Sequence, residues 1–160
     1  MAAIPAARVK QDSMPMDAPH WHSLPRKASR PITGSFLANR SAGVAVRMAT
    51  EHRVAALVLE APYTSIADVA QSHFPFLPVW WLVRDRFDCV EKIARVGAPL
   101  FVVHGERDGT TPVKFGRALF AAASEPKEAI WLPDAGHDVL GRSVVDAASL
   151  DFLKRSGVSP

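Results

Sequence analysis

Three short apolar runs, each ending abruptly in a loop, constrain the fold of this chain more than any other feature. Residues 54–59 read Val-Ala-Ala-Leu-Val-Leu, residues 99–103 read Pro-Leu-Phe-Val-Val, and residues 128–132 read Glu-Ala-Ile-Trp-Leu. Such runs are too short for buried helices and lack the alternation of a half-exposed strand, so each predicts a strand covered on both faces. Strands of that kind belong to parallel sheets, whose connections cross over through helices. Helical segments fall where the crossovers require them. Residues 43–52 place Val44, Ala45, Met48 and Ala49 on one face. Residues 65–71 open on Ser65 as N-cap, with Asp68 adding negative charge to the first turn. Residues 74–78 (Phe-Pro-Phe-Leu-Pro) break that helix. Further helices are expected over residues 79–87, over 88–95 with Asp88 as cap, over 113–123 with Pro112 at the first helical position, and over 144–154. The pattern predicts an α/β class: a mostly parallel sheet of about three strands, right-handed crossovers and flanking helices.

The first part of the chain has a different character. From residue 1 to about 38 neither a helical nor a strand period is visible, and Pro, Ser and basic residues are scattered through it. The expected division is an irregular, disordered segment over residues 1–42 and an α/β unit over 43–160. Of the formal net charge of +3, residues 1–40 contribute +4 and the remainder −1. No basic helix or aromatic-interleaved basic strand goes with that charge, so a solvated tail is favoured over a nucleic-acid surface. Hydrophobic content of 48% with 22% charged residues suits a folded soluble domain. The single cysteine, Cys89, has no disulfide partner within the chain, which suits a reducing compartment and a cytoplasmic location. The longest apolar run, residues 74–83, falls well short of the roughly 20 residues a membrane span needs. Residues 1–30 contain no signal-peptide h-region, and their prolines spoil a transit helix.

In open α/β sheets, functional groups gather in loops beyond the carboxyl ends of the strands. Asp108 follows the run at 99–103, and His137 follows the run at 128–132. Three landmarks occur in order: Val58-Leu59-Glu60-Ala61-Pro62-Tyr63-Thr64-Ser65, His104-Gly105-Glu106-Arg107-Asp108, and Ala135-Gly136-His137. Together they resemble successive landmarks of the peptidase- and esterase-like α/β-hydrolases, over about 110 residues and along the C-terminal half of that fold only. The resemblance implies that Asp108 is the acid and His137 the general base of a Ser-Asp-His triad. In that mechanism the histidine takes the nucleophile's proton and returns it to the leaving group, while the carboxylate fixes its tautomer. The resemblance also implies ester or amide hydrolysis of small-molecule or peptide substrates, with no metal or organic cofactor. His104 is a structural position in the family. Residues 74–83, with Trp80 and Trp81, lie where relatives insert a cap, and are expected either to line an apolar substrate pocket or to pack in the core.

The nucleophile is the departure from the pattern. The family sets its serine in a Gly-x-Ser-x-Gly turn shortly before the segment that is here Gly43-Val44-Ala45, and alignment on that helix puts Asn39 at the serine position. An amide has no hydroxyl for the histidine to deprotonate. The genetic code allows an explanation. Codons TTG-GCG-AAT-CGC-TCG-GC, which spell residues 37–42, become GGC-GAA-TCG-CTC-GGC one base earlier, or Gly-Glu-Ser-Leu-Gly. The same shift lets residues 34–37 encode an apolar triplet such as Ile-Val-Leu. The expectation is therefore that residues 1 to about 42 are read out of frame and that the chain is a truncated, inactive hydrolase. The competing reading makes Ser41 a nucleophile, since residues 39–43 (Asn-Arg-Ser-Ala-Gly) form x-x-Ser-x-Gly with Asn at a position tolerant of left-handed backbone. A non-catalytic binding module and a gene product without function complete the alternatives. Ester, thioester and peptide hydrolases share these landmarks, and oligomeric state leaves no mark in the sequence.

Overall fold

The computed structural model describes residues 36–38, 42–139 and 143–158. Among these residues ten elements follow in order: β1 (Phe36–Ala38), α1 (Ala42–Glu51), β2 (Leu57–Glu60), α2 (Ile66–His73), α3 (Val79–Leu82), α4 (Cys89–Ile93), β3 (Leu100–Gly105), α5 (Val113–Ala122), β4 (Lys127–Leu132) and α6 (Ser143–Arg155). The strands form one sheet in the order β1-β2-β3-β4, every neighbouring pair parallel.

The three apolar runs form β2, β3 and β4, and their side chains alternate between two cores. Leu57, Leu59, Leu100, Val102, Ala129 and Trp131 face α1, α4 and α5, packing on Val46, Ile93 and Leu119. Val58, Phe101, Val103, Ile130 and Leu132 face α6, packing on Val145 and Phe152, with Phe101 and Phe152 stacked at 5.1 Å. Helices on both faces explain why the strands read as continuous apolar runs. Each fully buried Leu or Val contributes roughly 1.5–3 kcal/mol relative to exposure. The buried face of α1 is Ala42, Ala45, Val46 and Ala49, while Val44 points to solvent.

Several local expectations change. Phe36–Ala38, read as part of an irregular segment, forms a strand in register with β2, Phe36 opposite Leu57 and Ala38 opposite Leu59. Three residues are too few to show a period, but the outer edge of β2 would otherwise leave a row of backbone groups unpaired. Helix α1 starts at Ala42, one residue before the expected boundary. The rest of the disorder expected over residues 1–42 lies outside the described residues. Ser65 does cap α2, its hydroxyl accepting from the Asp68 amide at 3.0 Å. Asp88 makes no side-chain cap bond to α4. Pro112 is the cap of α5 rather than its first helical residue, with an extended ψ of 132°. Helix α3 is a single turn where residues 79–87 were expected to be helical. Of its four residues only Val79 is buried, so little apolar packing holds a longer helix together.

Candidate active site

The parallel order brings the β3 and β4 exit loops side by side. The close approach depends on Gly105, where a Cβ would lie 2.2 Å from the Gly136 carbonyl oxygen and 2.3 Å from that of Ala135. Backbone bonds tie the loops together: the Glu106 amide donates to the Leu132 carbonyl at 2.8 Å and the Arg107 amide to the Ala135 carbonyl at 3.0 Å.

Asp108 and His137 meet across this junction. The His137 Nδ1–H donates to Asp108 Oδ2 at 2.8 Å. The other carboxylate oxygen, Oδ1, accepts from the Thr110 and Thr111 amides at 2.8 and 2.7 Å. Bonds to an ionised acceptor of this kind are short and strong, and they hold the carboxylate in one orientation. The Asp108 side chain is wholly covered, whereas that of His137 keeps 23% exposure. With Nδ1 engaged, the imidazole carries its free lone pair on Nε2, the nitrogen a general base uses. Ser41 and Asn39 lie outside the described residues. Their neighbours are described: β1 ends at Ala38 and α1 begins at Ala42.

Two residues near the pair add to what the sequence reading assigned. His104, read as structural, is fully buried beside the acid; its Nε2–H donates to the Thr111 carbonyl at 2.8 Å and lies 3.4 Å from Asp108 Oδ2. Its Nδ1 has no hydrogen bond among the described residues and packs on Gly116, where a Cβ would come within 2.2 Å. Glu60, at the carboxyl end of β2, is also buried, and its Oε1 accepts from the Val139 amide at 2.9 Å, two residues past His137. A carboxylate closing an apolar strand run was the available sequence signal for Glu60. No comparable signal marks the His104 contact, which depends on how the turn at Thr111 folds back.

Of residues 74–82 only Val79 is buried. Phe76 is 97% exposed and Trp81 89%. The segment starts beside the acid turn, because His73 Nε2–H at the end of α2 donates to the Thr110 carbonyl at 2.8 Å. Cys89 is buried, which pushes its thiol up to about 12, so it stays protonated and unreactive near neutrality. Among the described residues no His, Cys, Asp and Glu side chains gather as a metal site, and no helix is long and apolar enough to cross a membrane.

Burial holds the His104 pKa below its ordinary 6.5, with the Thr111 carbonyl and Asp108 opposing the shift. The unfolded chain therefore binds this proton more readily than the folded one, and stability rises with pH wherever that difference persists. The contribution of His104 should be complete above about pH 6.5 and be lost as pH falls toward the lower folded value. Thermal melts between pH 7.5 and 5 check this: the slope should flatten in His104→Gln. An unchanged slope in that variant would assign the pH dependence to other groups.

No family model matches the chain. An uncharacterized protein of Mycobacterium tuberculosis is 41% identical to it over 110 residues, which cover 66% of this chain and 39% of that protein. Human alpha/beta hydrolase domain-containing protein 17B is 32% identical over 93 residues, covering 58% of this chain and 31% of the relative. The chain thus spans well under half the length of these curated relatives. Among solved structures, acetyl xylan esterase 1 from Thermoanaerobacterium superposes with a TM-score of 0.57 at 20% identity, over 73% of this chain and 43% of the esterase. Acetyl xylan esterase from Paenibacillus gives 0.59 at 18% identity, over 78% and 44%. At such identities the structural likeness concerns the fold. Along the region it shares with these proteins, this chain is related to the α/β-hydrolase superfamily.

Proposed function

We propose that Asp108 and His137 are the acid and general base of an acyl-transfer site, and that the chain as written carries this pair without a working nucleophile. The observation that carries the reading is the 2.8 Å bond from His137 Nδ1 to a carboxylate whose other oxygen is fixed by two backbone amides. That arrangement selects the tautomer with Nε2 free and stabilises an imidazolium, the two tasks of a triad acid. In an intact relative the pair would serve ester or amide hydrolysis through an acyl-enzyme, with no metal or organic cofactor. The exposed apolar residues beside the acid turn favour substrates with an apolar portion, a small ester or a peptide.

Inactivity of this chain follows from Asn39 at the serine position, and the frame reading accounts for it. The nucleotide sequence of codons 34–42 tests it directly: read one base earlier, it should spell an apolar strand followed by Gly-Glu-Ser-Leu-Gly, and any other spelling rejects the frame shift.

One observation favours a second reading, a weak hydrolase using Ser41. Gly43 packs so closely that a Cβ would lie 2.8 Å from the Phe87 ring and 2.9 Å from the Tyr63 hydroxyl. A glycine two residues after the nucleophile is what a Gly-x-Ser-x-Gly turn calls for. A fluorophosphonate probe, which reacts only with an activated hydroxyl, separates the two. We expect no labelling of the purified chain, and labelling that disappears in Ser41→Ala would establish the second reading. The reducing compartment suggested by the lone Cys89 makes the cytoplasm the proposed location.

A further inference from the structure

We propose that Glu60 is a positioning residue for His137: its carboxylate holds the loop after β4 from the β2 side, so that the imidazole stays in register with Asp108. The inference rests on the acid-base reading of the pair and extends it to a third strand. On the β3 side the loop is held at its beginning, by the Arg107 amide on the Ala135 carbonyl and by the contact at Gly105. Arg107 and Asp134 also form an ion pair, but both are largely exposed, and such pairs contribute little. These restraints all act before His137. Beyond it the chain reaches Val139, a buried residue whose amide donates to Glu60 Oε1 at 2.9 Å. His137 is therefore fixed from both ends, by the β3 turn before it and by β2 after it.

The location of Glu60 makes it a firm anchor. The backbone of β2 pairs on both edges, with β1 and β3, and Glu60 lies opposite Val103 in that register. Its side chain is buried, and a buried carboxylate is held by the hydrogen bonds it accepts. Tethering Val139 to a strand in the middle of the sheet removes the freedom through which the imidazole would swing away from Asp108. Losing that tether costs alignment first, and misplacement by about 1 Å is enough to cost a catalytic group much of its effect.

The test compares Glu60→Ala, which removes the acceptor, with Glu60→Gln, which keeps an acceptor oxygen and removes the charge, both in the full chain. The readout is the His137 imidazole by nitrogen-15 NMR, assigned by its disappearance in His137→Gln, well below each variant's melting temperature. We expect a single Nδ1–H tautomer in the parent chain and in Glu60→Gln. In Glu60→Ala the tautomers should mix, and exchange of the Nδ1 proton should accelerate at least tenfold. A merely structural role lowers Tm without changing the tautomer. An unaltered tautomer in folded Glu60→Ala overturns the proposal, as does equal disturbance in both variants, which would assign the effect to charge. Asp108→Asn is the control for the underlying reading. If that change leaves the parent His137 signal untouched, the acid-base pair itself fails, independently of Glu60.

Discussion

Hydrolysis of a simple aryl ester by the purified chain should not exceed the buffer rate. On the proposed frame reading, a chain in which codons 34–42 encode Gly-Glu-Ser-Leu-Gly should hydrolyse the same ester at least about a millionfold faster. The magnitude follows from what a missing nucleophile costs: deleting the serine of a serine protease lowers kcat about 10⁶-fold, and the remainder derives from the oxyanion hole and substrate binding. Asp108 and His137 cannot substitute for the hydroxyl, because a base without a nucleophile has no proton to take at the reacting atom. In the restored protein, Asp108→Asn should lower kcat about 10⁴-fold by favouring the wrong tautomer of His137. In the chain as written the same change should leave the rate at background. Turnover by the unrestored chain that vanishes in Ser41→Ala would defeat this account, because Ser41 would then be supplying the hydroxyl.

The parts of this site that were legible in the sequence are those that depend on burial and chain order. Residues 57–60, 100–105 and 127–132 are strands because their side chains fill cores on both faces, and burial on both faces leaves a continuous apolar run that composition alone reveals. That Asp108 and His137 would meet was legible because loops at the carboxyl ends of adjacent parallel strands must converge. What was not legible depends on contacts between segments. Phe36–Ala38 joins the sheet because β2 presents an unpaired edge, a requirement located 21 residues away in register with Leu57. The expected helix over residues 79–87 stops at Leu82: Val83 leaves helical backbone at ψ 107°, and Phe87 adopts a positive φ of 47°. Phe87 packs against Gly43 of α1, and that contact outweighs local helix propensity in the segment leading to it. Glu60 shows both sides of this divide. Its position at the end of β2 could be read from the sequence, whereas its bond to Val139 required the loop after β4 to be in place.

The junction at Gly105 carries the largest structural effect expected of a single methyl group. Gly105 closes β3 opposite Leu132, and the chain passes directly beneath the Ala135-Gly136 backbone on its way to Asp108. A Cβ there would stand 2.2 Å from one carbonyl oxygen, 2.3 Å from another and 2.7 Å from the Ala135 carbonyl carbon. All three neighbours are backbone atoms, so no rotamer change relieves the overlap and one loop must move. Forcing volume into close-packed surroundings costs typically 1–3 kcal/mol, and the backbone location puts Gly105→Ala at the upper end, about 3 kcal/mol. For a chain of this size that corresponds to a drop in Tm of roughly 10 °C. The displaced loop carries His137, so its Nδ1 should also lose Asp108 Oδ2, and the single tautomer should be lost with it. Gly109 is the matched control: it lies in the same turn, and an added Cβ there would have nothing within 4 Å. Gly109→Ala should keep Tm within about 2 °C of the parent, the effect of an ordinary surface substitution, and leave His137 in one tautomer. Equal melting temperatures for Gly105→Ala and Gly109→Ala would mean that the loops are not packed this closely, and the geometry that joins Asp108 to His137 would have to be redrawn.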